Sequence, residues 1–236
     1  MTPDADRRDE LAASLAEVRE RITRACTAAG RPADAVSLVA VTKTYPASDV
    51  VLLAGLGVTD VGENRDQEAA GKAAEVKAAG AAPRWHFIGQ LQRNKAASVA
   101  RYADVVESVD SVRLVAALDK AAAGRTAPLE VLIQVSIDGD AERGGAAGDD
   151  LWRTADAVAA ASGLRLGGLM AVAPLGWEPD RAFAVLAGLS ERLVATHPGA
   201  TTLSAGMSGD LEAAVRHGAT HVRIGTSLLG MRNPLR

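Results

Sequence analysis

The sequence predicts a closed (β/α)8 barrel, and three observations carry that prediction. Eight short apolar runs rich in valine, isoleucine and leucine alternate with alanine-rich stretches of helical character, and alternating units with crossovers of this length imply a parallel sheet. The 236 residues suit one such barrel without a second domain. No GxGxxG follows the first run, which disfavours the open doubly wound sheet as the alternative.

Ahead of the barrel, the segment from Arg8 to Ala29 spaces Leu11, Leu15, Val18, Ile22 and Cys26 at helical intervals, and Gly30 with Pro32 supplies a stop. An amphipathic helix within residues 1–30 is expected, with Cys26 a buried apolar filler rather than a nucleophile. The strand-like runs are VSLVAV, VTDVGE, RWHFIG, DVVESV, PLEVLIQVSI, LRLGGLMAV, TTLSAG and THVRIG. Helical segments such as NRDQEAAGKAAEVKAAG, SVRLVAALDKAAAG, LWRTADAVAAASG, RAFAVLAGLSERLVATH and DLEAAVRHG separate them, several closing on the glycine common at helix C-termini. No long Pro/Gly/Ser linker interrupts the pattern, so one domain over residues 1–236 is expected.

With 48% hydrophobic and 23% charged residues the chain reads as an ordinary globular protein. A net charge of −3 gives no footprint for nucleic acid or an anionic membrane surface. One cysteine cannot form an internal disulfide, and the start MTPDADRRDE lacks the basic and apolar regions of a secretory signal. No uncharged apolar run of about 18 residues suggests a membrane span. A cytoplasmic location is expected.

The predicted strand ends hold Lys43, Glu63 with Asn64, Ile88 to Gln90, Ser136, Met170, Ser204 and Arg223, on the face where barrel enzymes build their sites. Lys43, delivered by SLVAV and followed by Tyr45 and Pro46, is either a surface charge capping a strand or an amine held for chemistry. In LSAGMSGDLEAAVRHG, Ser208 sits between glycines where a helix begins, and HVRIGTSLLG adds Gly225 and Thr226 after the last run. Free amides and hydroxyls there suit a phosphate, and loops after strands seven and eight form the recurrent phosphate site of such barrels. The alternative is a helix cap and a tight turn with nothing bound, because Asp210 and Glu212 repel a phosphate unless they point away. A lysine and a phosphate cup on one face suggest pyridoxal 5′-phosphate, whose aldehyde condenses with an amine.

The motifs VAVTKTYP, VGENRDQEAAGK, WHFIGQLQRNKA, ESVDSVRLVAALDKAA, VLIQVSID, LRLGGLMAVAP and LSAGMSGDLEAAVRHGATHVRIGTSLLG, in this order from about Ser37 to Met231, resemble the pyridoxal phosphate homeostasis protein family. That family shares its barrel with the N-terminal domain of alanine racemase. The resemblance implies that Lys43 holds the cofactor as a Schiff base. It implies that Ser208, Gly225 and Thr226 hold the phosphate, with Ser204 and Met207 lining the same turn. It also places Arg223 toward the pyridine nitrogen and Asn64 beside the ring.

An arginine can only donate to that nitrogen, so the pyridine stays neutral and is a poor electron sink, which disfavours transamination. Racemisation usually needs two bases, and in alanine racemase the second is a tyrosine of another domain, for which the chain after the eighth strand leaves no room. Tyr45 is too near Lys43 in sequence to be assigned to the opposite face. A non-catalytic carrier is therefore expected: a monomer that holds pyridoxal phosphate, supplies recipient apoenzymes and contributes to vitamin B6 and amino-acid homeostasis. The alternative is a racemase of weak or narrow activity, in which Lys43 is catalytic. A third reading makes Lys43 a plain cation for some other phosphate. His86 is read as a satisfied core residue, Trp85 and Phe87 as packing, Arg93 and Lys95 as solvated charges, and Asp138 to Asp150 as a solvated connection or a lid.

Overall fold

The computed structural model describes residues 3–140 and 144–230. Eight parallel strands close on themselves in sequence order: β1 (Ser37–Val41), β2 (Asp60–Glu63), β3 (Arg84–Phe87), β4 (Val105–Val109), β5 (Leu129–Gln134), β6 (Leu164–Met170), β7 (Thr202–Ser204) and β8 (His221–Ile224). Closure is made by β1 on β8, with Val39 level with Arg223. All eight predicted runs contain their strand, and the open-sheet alternative is excluded. The helices are α1 (Pro3–Ala28), α2 (Ala47–Gly55), α3 (Asp66–Ala78), α4 (Ala96–Tyr102), α5 (Val112–Ala122), α6 (Asp149–Ala160), α7 (Pro179–Thr196), α8 (Leu211–Arg216) and α9 (Thr226–Leu229). None among the described residues is long and apolar enough to cross a membrane.

Side chains of a strand alternate between the helices and the barrel axis. Val61, Trp85, Val106, Leu203 and Val222 join the apolar layers under the helices. Residues of the opposite parity, Asp60, His86, Glu107, Ser204 and Arg223, are buried and polar. Val105, Leu132 and Met170 form a small apolar cluster of their own. The interior thus departs from the aliphatic layers usual in such barrels.

Helix α1 buries Leu11, Leu15, Val18, Ile22 and Cys26, each no more than 5% exposed, in one cluster with Val50 and Leu53 of α2, Leu211 and Val215 of α8 and Leu228 and Leu229 of α9. Each such leucine contributes about 1.5–3 kcal/mol by burial, so this face docks α1 against the flank formed by the first and last units.

Helix α8 starts later than its sequence suggests. Residues 208–210 form a turn, because Asp210 Oδ1 accepts from Met207 N at 2.6 Å and Asp210 N donates to Met207 O at 3.1 Å. The connection after β5 folds back along its own strand. Ala146 N donates to Gln134 O at 2.7 Å and Ser136 N donates to Ala146 O at 3.0 Å, pinning the second half of the loop; residues 141–143 of the lid reading lie outside the described residues.

Candidate functional site

The order β7–β8–β1–β2 places the turn after Ser204, Gly225 with Thr226, Lys43 and Asn64 around one arc of the barrel mouth. Two backbone bonds stitch this arc together: Arg223 N to Gly206 O at 2.9 Å, and Thr42 N to Gly62 O at 3.0 Å. A Cβ on Gly225 would lie 3.4 Å from the Val41 Cβ and carbonyl oxygen, so the ends of β8 and β1 are in van der Waals contact.

Lys43 is exposed, two residues past β1, and its ammonium has no carboxylate partner among the described residues. Its turn is clamped from below. Lys72 Nζ, on α3, reaches Glu63 Oε1 at 2.6 Å, Thr42 O at 2.8 Å and Glu68 Oε1 at 3.1 Å. The Thr42 hydroxyl donates to Glu63 Oε1 at 2.7 Å, and Thr44 N donates to Glu68 Oε1 at 2.5 Å. Burial pushes the Glu63 carboxyl up despite Lys72. Burial also acts to raise Glu68, but the Lys72 and Thr44 bonds outweigh it and bring the group down. Thr44 has φ +70°, a left-handed conformation rare outside glycine. Holding it costs about 1–3 kcal/mol, sustained only where neighbours over-determine the backbone. Tyr45 Oη donates to Gly230 O at 2.5 Å, tying the far side of the turn to the end of α9.

The turn after β7 offers donors. The Ser208 hydroxyl and the N–H groups of Ser208 and Gly209 have no acceptor among the described residues. At the start of α9 the N–H groups of Thr226 and Ser227 have no backbone acceptor among the described residues, while those of Leu228 and Leu229 donate to Gly225 O at 2.9 Å. The repulsion feared from Asp210 and Glu212 is met twice: Asp210 turns back onto Met207 N, and Glu212 is gripped by Arg21 of α1 at 2.6 and 2.7 Å. Met207 itself is 39% exposed at the rim. Gly206, at φ +94°, has no room for a side chain, since a Cβ would come within 2.7 Å of the Ala214 Cβ. Gly206→Ala is expected to lose about 1–3 kcal/mol of stability, read by urea unfolding.

Ser204 and Arg223 lie lower, inside the barrel. Arg223 Nη1 donates to Ser204 Oγ at 2.7 Å, Nη2 donates to Ala171 O at 2.8 Å, and the Ser204 hydroxyl donates to Glu107 Oε2 at 2.6 Å. Ser204 therefore serves Arg223 and Glu107, being fully buried. Glu107 Oε1 meets His86 Nδ1 at 2.7 Å, and His86 Nε2 meets Asp60 Oδ1 at 2.9 Å. His86 is thus a satisfied interior residue. Burial disfavours its imidazolium, but the two carboxylates outweigh burial and push it up to about 9. Burial likewise acts to raise Glu107, and the His86 hydrogen bond with the charges of His86 and Arg223 brings it down to about 2. Burial lowers Arg223, yet a guanidinium stays protonated.

Asn64 Oδ1 is buried without a hydrogen-bond partner, and its backbone is approached so closely that a Cβ on Gly89 would lie 2.1 Å from Asn64 O. Beside it a cleft of about 600 Å³ opens, lined by Asn64, Asp66, Phe87, Gln90 and Lys95 among others. Lys95 stands 3.9 Å from Asp66 there, and both Arg93 and Lys95 are exposed. No group of three or more His, Cys, Asp or Glu side chains among the described residues could hold a metal ion.

Residues 13–233 match the family model described as alanine racemase, N-terminal domain. A protein of Mycobacterium leprae named pyridoxal phosphate homeostasis protein is 45% identical, the alignment covering 97% of this chain and 96% of that protein. The chain belongs to the pyridoxal phosphate homeostasis protein family. A member from Escherichia coli is 38% identical over 95% of this chain and 98% of its own. Among solved structures, PipY of Synechococcus elongatus with pyridoxal phosphate bound superposes with a TM-score of 0.81 at 33% identity, covering 93% of this chain and all of PipY. Alanine racemase of Bacillus anthracis, at 16% identity and a TM-score of 0.70, shares the fold over 97% of this chain and 57% of the racemase.

Proposed function

We propose that this protein binds pyridoxal 5′-phosphate on Lys43 as a Schiff base and serves as a carrier in intracellular vitamin B6 and amino-acid homeostasis. The observation that carries the reading is Lys43 itself: an exposed amine without a carboxylate partner among the described residues, on a strained and four-fold anchored turn, across β8 from a turn of unpartnered donors. Condensation forms a C=N bond between the amine and the cofactor's aldehyde carbon, and the aldehyde oxygen leaves as water.

The remaining residues fit that ligand. Ser208, Gly209, Gly225 and Thr226 supply hydroxyls and amides for a phosphate. Asn64 Oδ1 is an unmet acceptor beside the ring position. Arg223 uses two of its five N–H donors on Ser204 and Ala171, leaving others for the ring nitrogen. That PipY, at 33% identity, has pyridoxal phosphate bound supports the same reading.

The carrier reading is favoured over the racemase because neither tyrosine is placed to act as a second base. Of the two tyrosines, Tyr45 is held on the Gly230 carbonyl and Tyr102 lies on α4 with its hydroxyl buried. Incubating the loaded protein with L-alanine and other amino acids in D2O tests the choice. A carrier working as a monomer gives no catalytic Cα deuterium uptake and restores activity to an apoenzyme that needs the cofactor; sustained exchange would replace this reading with the racemase.

A further inference from the structure

We propose that Arg21, on the helix outside the barrel, is a positioning residue that sets this site's preference for a phosphorylated ligand. The inference rests on the proposed cofactor reading and concerns the turn that would receive the phosphate. Arg21 makes three bonds across 187 to 191 residues of sequence: Nε and Nη2 to the two oxygens of Glu212 at 2.6 and 2.7 Å, and Nη1 to the Ser208 carbonyl at 2.8 Å.

Each bond acts on the turn. In a trans peptide the carbonyl and the following N–H point in opposite directions, so an arginine holding Ser208 O from the α1 side turns the Gly209 N–H away from α1. A charge-assisted bond to that carbonyl also polarises the peptide and makes its N–H a stronger donor. The two bonds to Glu212 fix and offset a carboxylate four residues past Ser208, where an uncompensated charge opposes a dianion. The Glu212 carboxyl is drawn down by Arg21 in keeping with this pairing. Asp210 is held separately, its Oδ1 accepting from Met207 N.

The test compares pyridoxal phosphate with pyridoxal, which lacks the phosphate, by absorbance titration of the stripped full-length wild-type, Arg21→Gln and Arg21→Gln/Glu212→Gln proteins. The expected result is about tenfold weaker binding of pyridoxal phosphate to Arg21→Gln, with pyridoxal changed less than about twofold, and partial recovery in the double variant as the repelling charge is removed. Equal weakening of both ligands would mean that Arg21 only docks α1, and unchanged binding would mean that it does neither; each overturns the inference and leaves the carrier reading standing. Failure of the wild-type protein to bind pyridoxal phosphate would instead overturn the carrier reading, and this inference with it.

Discussion

Replacing Glu107 by alanine is expected to cost about 3–5 kcal/mol of unfolding free energy, the effect of removing one partner from a buried ion pair. Glu107 is fully buried between His86 on one oxygen and Ser204 on the other, with Arg223 Nη1 3.8 Å away. Its loss leaves Arg223 without a neighbouring carboxylate and His86 with Asp60 alone. Glu107→Gln keeps the shape and is expected to lose less, so a comparison by urea unfolding separates charge from packing.

The same column predicts a pH dependence. His86 is raised from 6.5 to about 9 in the folded protein, so it contributes stability that is fully present below pH 6.5 and is lost as pH rises through about 9. The shift corresponds to roughly 3 kcal/mol. Glu107, lowered to about 2, contributes stability present above its unfolded value and lost as pH falls toward about 2. His221, whose ring lies 6.2 Å from His86, is lowered by burial and titrates below 6.5 in the opposite sense, leaving the upper window to His86. In His86→Gln the decline between pH 6.5 and 9 should disappear; an unchanged slope would show that His86 is not charged in the fold.

Lys43→Ala is expected to abolish covalent attachment of pyridoxal phosphate, while the turn at Ser208 and Arg223 retain weaker, reversible binding. Borohydride would then fix no cofactor on the variant, and gel filtration would strip it. A variant that is still labelled as the wild type would place the reactive amine elsewhere.

Much of this was legible in the sequence. β-Branched runs ending in turn residues located every strand, and the stripe from Leu11 to Cys26 located the buried face of α1. Lys43, Asn64, Ser208, Gly225 and Thr226 stood out because each interrupts or follows an apolar run. What stayed hidden depends on pairs far apart in the chain. Nothing near Glu107 announces His86, 21 residues away, or Ser204, 97 away. The sign that was available is an acid at an axis-facing position of a largely valine strand. Glu68 and Lys72, four apart on α3, were readable as a helical pair, but their grip on Thr42 and Thr44 needs the fold. Arg21 was one charge among many on α1, and only docking brings it to Ser208 and Glu212.

The most direct test is to load the wild-type protein with pyridoxal phosphate, record its absorbance before and after borohydride, and map the modified peptide by mass spectrometry. The account predicts a visible band that vanishes on reduction and a pyridoxyl group on Lys43 alone. No band and no adduct, or an adduct on another lysine, would contradict it and leave Lys43 a charge at the end of a strand.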